Sequence, residues 1–232
     1  MTDLPALLAR HRATFLPVLP TFPLSTTPVA QLDFTVANPL LAHPERLRDT
    51  FLFDEVVAEL LAAQHATVGI GGYLENRVIY RRSPHFTAAT EPRALHLGVD
   101  VWVPAGTPVA APLAGTVHSL ADNNNFGDYG PTIILAHELE GVKFYSLYGH
   151  LTRTDLPGLA PGQAVAAGQL IAHVGPHPEN GDWPPHLHFQ LMADMQGRWG
   201  DFPGVAPPSE RAYWAQLCPD PMLVLGRVSA LT

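Results

Sequence analysis

Three short stretches carry side chains able to do chemistry together. In Leu95-His96-Leu97-Gly98-Val99-Asp100-Val101-Trp102-Val103, a period of two puts His96, Gly98, Asp100 and Trp102 on one face. Leu95, Leu97, Val99, Val101 and Val103 share the other, so the pattern predicts a strand with a buried back. Four extended residues span roughly 13 Å, so His96 and Asp100 must bend toward a common point. A glycine between them on a twisted strand permits that. A neutral imidazole and a carboxylate make a metal-ligand pair. His186-Leu187-His188-Phe189-Gln190-Leu191 repeats the device, with two imidazoles in front of an apolar back. The run Phe144–Leu151 ends a β-rich segment with His150. Imidazoles clustered without a ligand or counter-charge are costly to bury, so packing alone is a poor explanation.

The set His96-x-x-x-Asp100, Tyr148-Gly149-His150-Leu151 and His186-Leu187-His188-Phe189 resembles the M23 family of zinc metallopeptidases, the lysostaphin/LytM-type endopeptidases. The order, spacing and flanking residues agree over about residues 70–195. The resemblance implies one zinc ion per chain, held by His96, Asp100 and His188. It implies His150 and His186 as the catalytic imidazoles, and peptidoglycan cross-links as the substrate. Two His and one Asp leave an open position, as catalytic rather than structural zinc requires. A metal there acidifies water and polarises a scissile carbonyl. No His-Glu-x-x-His is present to supply a helix-borne base, so proton transfer falls to the two remaining imidazoles. His186 as ligand with His188 behind it is the alternative, but the family pattern points to His188.

Other readings use the same residues. A two-His-one-carboxylate iron oxygenase shares the ligand types. Such sites usually have one residue between the first His and the acid, whereas three separate His96 from Asp100. A catalytically weak, metal-bearing peptide-binding domain is a second alternative. Relatives that lose activity usually lose ligands, and all five positions are present. The Gly-cornered segments 103–117 and 159–175 resemble biotinyl and lipoyl carriers. That reading needs a lysine at a hairpin tip, and the single lysine, Lys143, falls inside a strand. An upstream Asn keeps some M23 proteins latent; for Asn38 and Asn76 a plain turn role is expected.

The chain has 232 residues, 47% of them hydrophobic, and a mean hydropathy of +0.08, enough for one large packed domain with extensions. A formal charge of −8 argues against nucleic acid or an anionic membrane surface as partner. Cys218 is the one cysteine, which excludes an internal disulfide or a cysteine-based zinc site. No export signal is visible: the apolar piece Phe15–Pro20 is short and broken by prolines. No apolar stretch reaches membrane-spanning length. The expectation is cytoplasmic by default, and cell envelope or secreted by resemblance.

These elements must be positioned by a mainly antiparallel β domain with an open groove, of the lysostaphin type and duplicated-hybrid-motif-like. Residues 68–200 are expected to form it. Residues 1–67 read as a Pro-rich arm and helix packed upon it, with helical turns near Leu4–Thr14. The helical spacing of residues 45–64 is capped in this reading by Asp54. Strands are expected at Val68–Tyr73, Arg77–Tyr80, Thr132–His137 and Val142–Tyr148. Tyr80, Arg81 and Arg82 read as a solvated edge with a possible contact to substrate. The resemblance implies that the loop 121–130 walls the substrate groove; the loop 175–185 leads into His186 and places Asn180 and Trp183 where a peptide could touch them, with a plain turn at Asn180-Gly181 as the equal reading. Residues 201–232 form an extension whose helix begins near Ser209 and stops at Pro219. Cys218 on it reads as a small buried apolar group.

Overall fold

Runs rich in Val, Ile and Leu build most of the molecule, which the computed structural model describes over residues 3–87 and 89–226. Met1, Thr2 and residues 227–232 of the expected extensions lie outside the described residues. The strands are β1 Val29–Leu32, β2 Val68–Gly71, β3 Leu95–His96, β4 Val99–Trp102, β5 Pro108–Ala110 and β6 Gly115–Asn123. They continue with β7 Gly130–Leu139, β8 Val142–Gly149, β9 Ala164–Val165, β10 Leu170–His173, β11 His186–Met192 and β12 Val205–Ala206. Eight of them make one sheet in the order β1-β2-β4-β11-β8-β7-β6-β9. All its pairings are antiparallel except β1 with β2. Two ribbons, β5 with β10 and β3 with β12, complete it. The mainly antiparallel β class is as expected, and the arm adds an edge strand, β1, to the sheet.

One sheet face packs Val99, Val101, Ile133, Leu135, Leu187, Phe189 and Leu191 against Leu4, Leu7 and Leu8 of helix α1 (Leu4–His11). Behind the opposite face, α2 (Pro44–Arg48) leads into α3 (Thr50–Ala62), whose Phe53 and Val56 cluster with Phe34, Trp102 and Trp183. A short α4 (Pro84–Thr87) precedes β3, and α5 (Arg211–Leu217) and α6 (Met222–Leu225) close the chain. Strands β4 and β11 are therefore buried on both faces. A polar row in the middle of such a sheet needs partners for every group.

Several local expectations are corrected. Residues 95–103 are not one strand. Leu97 N bonds Gly204 O and His96 pairs with Val205, so the chain changes ribbons at Leu97-Gly98. Arg77–Tyr80 is not a strand: Ile79–Arg82 is a 3-10 turn. Its Ile79, Tyr80 and Arg82 are all buried, a spacing that period two cannot satisfy. Tyr80 and Arg82 are thus interior groups, whereas Arg81 is exposed. The cap of α3 is Asp49, whose Oδ1 accepts from Phe51 N and Leu52 N, and not Asp54, which lies inside the helix. Ser209 does not cap α5; its hydroxyl bonds Glu91. Asn38 caps the turn Pro39–Leu41, and Asn76 bridges Leu95.

Candidate active site

Adjacency across the sheet, not along the chain, assembles the site. β11 lies between β4 and β8, and its register sets His188 opposite Asp100 on one side and Gly149 on the other. His186 stands opposite Trp102 and stacks on its ring, centroids 4.1 Å apart. β8 ends at Gly149. His150 then takes a left-handed backbone, φ 62°, and its N–H bonds Tyr129 O at 2.8 Å. That turns its ring toward His186, at 4.2 Å between centroids. His96 arrives from β3, across the break at Gly98. A Cβ at Gly98 would lie 2.5 Å from His188 Cε1, so only glycine leaves room for the ring. The structure brings all five sequence-identified side chains together, none more than 5% exposed.

Hydrogen bonds fix which ring nitrogens are bare. A carbonyl oxygen only accepts, so a ring nitrogen facing one must carry the proton. His96 Nδ1 donates to Gly72 O (3.0 Å), His150 Nδ1 to Asn180 O (2.7 Å) and His186 Nδ1 to Pro184 O (2.7 Å). Gln190 Nε2 donates to Pro203 O, so its Oε1 is left to accept from His188 Nε2 at 3.0 Å. Each neutral imidazole then has one unprotonated nitrogen. Those of His96 (Nε2) and His188 (Nδ1) face each other at 3.0 Å. Asp100 Oδ1 lies 2.9 Å from His188 Nδ1 and 3.3 Å from His96 Nε2. His186 Nε2 stands farther off, 3.9 Å from the same oxygen.

Burial keeps the rings neutral. Desolvation, with Arg77 nearby, lowers His96 to about 4. Desolvation lowers His186 to about 4 and, with the neighbouring imidazoles, holds His150 well below its ordinary value. Desolvation works the other way on Asp100. The neighbouring imidazole of His96 and the guanidinium of Arg77 outweigh it and hold the carboxyl well below its usual range.

Three ligand atoms drawn this close, on groups whose far sides are already committed, leave a place between them that suits a cation. His96, Asp100 and His188 are the described cluster whose ligand atoms all lie within 4.8 Å of one another. Zinc bonds of ~2.0–2.1 Å give a tetrahedral edge of about 3.3 Å. Of the three edges here, the longest equals it at 3.3 Å and the other two, 2.9 and 3.0 Å, are a few tenths of an ångström shorter. The N, N, O donor set and the committed far nitrogens fit a divalent cation.

Sequence reasoning missed several groups at the site. Arg77 Nη1 pairs with Asp100 Oδ2 from inside the core. The Tyr129 hydroxyl, from the polar loop, lies 3.5 Å from His188 Nε2. Tyr80, Phe86, Tyr129, Trp183 and Phe202 line the cleft above the cluster. Alternation had placed Gln190 on the histidine face, but nothing local marked Arg77 or Tyr129. Asn180 is structural: its side chain bonds Gly175 O and Trp183 O. Trp183 does line the cleft, held by a bond from its Nε1 to Asp128 O.

The model of a known family, described as Peptidase family M23, matches residues 94–198. An uncharacterized metalloprotease of Haemophilus influenzae is 36% identical over 97 residues, 41% of this chain and 18% of that protein. The L-Ala–D-Glu endopeptidase of Bacillus subtilis is 28% identical over 107 residues, 44% of this chain and 31% of that one. The chain thus spans less than a third of either curated relative. Among solved structures, the catalytic domain of lysostaphin from Staphylococcus simulans is 30% identical, over 52% of this chain and 80% of that one, with a TM-score of 0.36.

Proposed function

We propose that this chain, which matches the model of peptidase family M23 over residues 94–198, is a zinc-dependent endopeptidase of that family that cuts peptides of peptidoglycan. His96, Asp100 and His188 would hold the zinc ion. When bound, zinc supplies a Lewis acid that polarises a peptide carbonyl and brings the pKa of water to about 7 in well-known cases.

The remaining chemistry belongs to the chain. His150 and His186 are buried and neutral, with Nδ1 tied to a carbonyl and Nε2 bare. That is the form of a general base at neutral pH. One takes a proton from the attacking water as its oxygen bonds the carbonyl carbon. The imidazolium so formed stabilises the developing oxyanion. It then returns the proton to the leaving nitrogen as the C–N bond breaks. The stack on Trp102 and the bonds to Pro184 O and Asn180 O hold both rings for this transfer.

The observation that carries the reading is the buried triangle of His96, Asp100 and His188, whose ligand atoms all lie within 4.8 Å of one another. The name of the Bacillus subtilis relative supports a peptidoglycan substrate, and with it a site of action at the cell envelope. Among the described residues, no helix is long and apolar enough to cross a membrane. The test incubates zinc-loaded protein with muropeptides and with a general peptide library. Cleavage of muropeptides, lost in His150→Ala with zinc still bound, is expected. Cleavage of the library alone removes the peptidoglycan assignment. No cleavage of either by the zinc-loaded protein leaves the peptide-binding alternative in its place. Iron bound in preference to zinc, with a 2-oxoacid requirement, would move the site to the oxygenase alternative.

A further inference from the structure

Arg77 lies outside the family match, yet its guanidinium is part of the site's interior. It is 1% exposed. Its Nη1 donates to Asp100 Oδ2, its Nε to Glu75 Oε2 at 2.7 Å, and its Cζ lies over the Phe34 ring, 5.3 Å from the centroid. Room for it comes from Gly71, where a Cβ would collide with Arg77 Nη2. Glu75 is itself held, its Oε1 accepting from Phe34 N at 3.2 Å. Gly72, in the same segment, supplies the carbonyl that orients His96. Residues 71–77 thus hold the far side of two of the three donors.

A buried guanidinium beside a cation site is electrostatically expensive. Two features give it a purpose. A carboxylate can bind a metal through one oxygen or two, and a second bond from Asp100 would fill the position that hydrolysis needs open. A charge-assisted bond to Oδ2 removes that option and leaves Oδ1 facing His96 Nε2 and His188 Nδ1. Glu75 then balances the charge of Arg77, so the carboxylate charge on Asp100 remains for the cation.

We propose that Arg77 is a positioning residue that restricts Asp100 to one oxygen toward the metal and so keeps the reactive position open. This rests on His96, Asp100 and His188 being the ligands. Arg77→Met and Arg77→Lys test it in cobalt- and zinc-loaded protein, with His188→Ala as a control on the ligand set. In Arg77→Met, kcat falls about 10–100-fold, the usual cost of losing an outer partner of a ligand. KM is unchanged and zinc stays bound. The visible bands of the cobalt protein weaken as the second carboxylate oxygen enters. Arg77→Lys keeps the buried charge but cannot fork between Glu75 and Asp100, so it shifts the bands the same way by less. It carries the test where Met prevents folding. A folded variant with the wild-type cobalt spectrum overturns the role of Arg77 and leaves the metal reading standing. Cobalt bound as tightly by His188→Ala as by wild type overturns the ligand set, and this inference with it. The spectrum needs no substrate, so failure to find a cleavable peptide bears on the endopeptidase reading alone.

Discussion

Replacing Gly98 by alanine puts a methyl carbon 2.5 Å from His188 Cε1, 2.6 Å from Nε2 and 2.9 Å from the carbonyl oxygen of Phe189. Gly98 is not among the positive-φ glycines, so the substitution carries no backbone penalty and acts through space alone. Ordinary carbon contacts need about 3.5–4.0 Å, so the ring must retreat by roughly 1 Å. The carbonyl oxygen belongs to β11, paired on both sides, and cannot give way. The ring is the softer neighbour, and its retreat opens the 3.0 Å approach to His96 Nε2 and the 2.9 Å approach to Asp100 Oδ1. A displacement of that size costs on the order of 100-fold in turnover. Zinc affinity falls by about 10–100-fold with it. The fold survives, with a loss of about 1–3 kcal/mol from overpacking. The assay pairs chelator competition for zinc with peptide turnover, and checks the fold by thermal unfolding of the metal-free protein. A folded Gly98→Ala protein with wild-type zinc affinity and turnover refutes the argument that only glycine leaves room there for the His188 ring.

Asp49→Ala removes the side chain that caps α3 through two backbone N–H groups; thermal unfolding should show a loss of about 1 kcal/mol. Thr50→Val removes the hydroxyl that accepts from Arg82 Nη2 at 2.7 Å and donates to Asp182. Arg82 Nε and Nη1 already lack partners, so a loss of about 2 kcal/mol is expected, with altered Trp183 fluorescence. His137 is buried, and desolvation lowers it from 6.5 to about 4. The unfolded chain takes up this proton first as pH falls, so the contribution is complete above pH 6.5 and is lost as pH falls through 4. Its full size is about 3 kcal/mol, and His137→Gln should flatten the acid limb of the stability curve measured by denaturant unfolding.

Four of the five candidate side chains were legible because each sits on a strand of period two, where a polar residue among aliphatics declares its face, and His150 was legible as the residue that ends the β-rich run. His186 and His188 could be placed with their backs to Leu187, Phe189 and Leu191 before any coordinates. The break at Gly98 was not legible, because the alternation of residues 95–103 runs through it without interruption and the segments on both sides are buried. Arg77 was hidden for a different reason. Its partner Asp100 is 23 positions away, and the two meet because β2 pairs β4 with Gly71 opposite Asp100. No local pattern distinguishes an arginine bound for such a place from one on a solvated edge. Arg82 was misread for the same cause: its guanidinium lies within 4.7 Å of the Trp183 ring centroid, from a loop a hundred positions later.

The residues that could hold a cation and those that set its surroundings therefore come from different parts of the chain. His96, Asp100 and His188 fall within the family match; the register of β4 with β11 sets Asp100 beside His188, and β3 brings in His96 across the break at Gly98. Gly72, Glu75, Arg77, Thr50 and Arg82 precede it, and they fix one imidazole, one carboxylate oxygen and the loop that carries Trp183. A group that only packed against the site would be served as well by an apolar side chain, since a buried ion pair is weak evidence for stability. Here the buried charges touch the back of Asp100 and one wall of the cleft. Substitutions in residues 71–82 should accordingly change how the site works more than whether the protein folds, whereas the aliphatic backs of β4 and β11 should do the reverse.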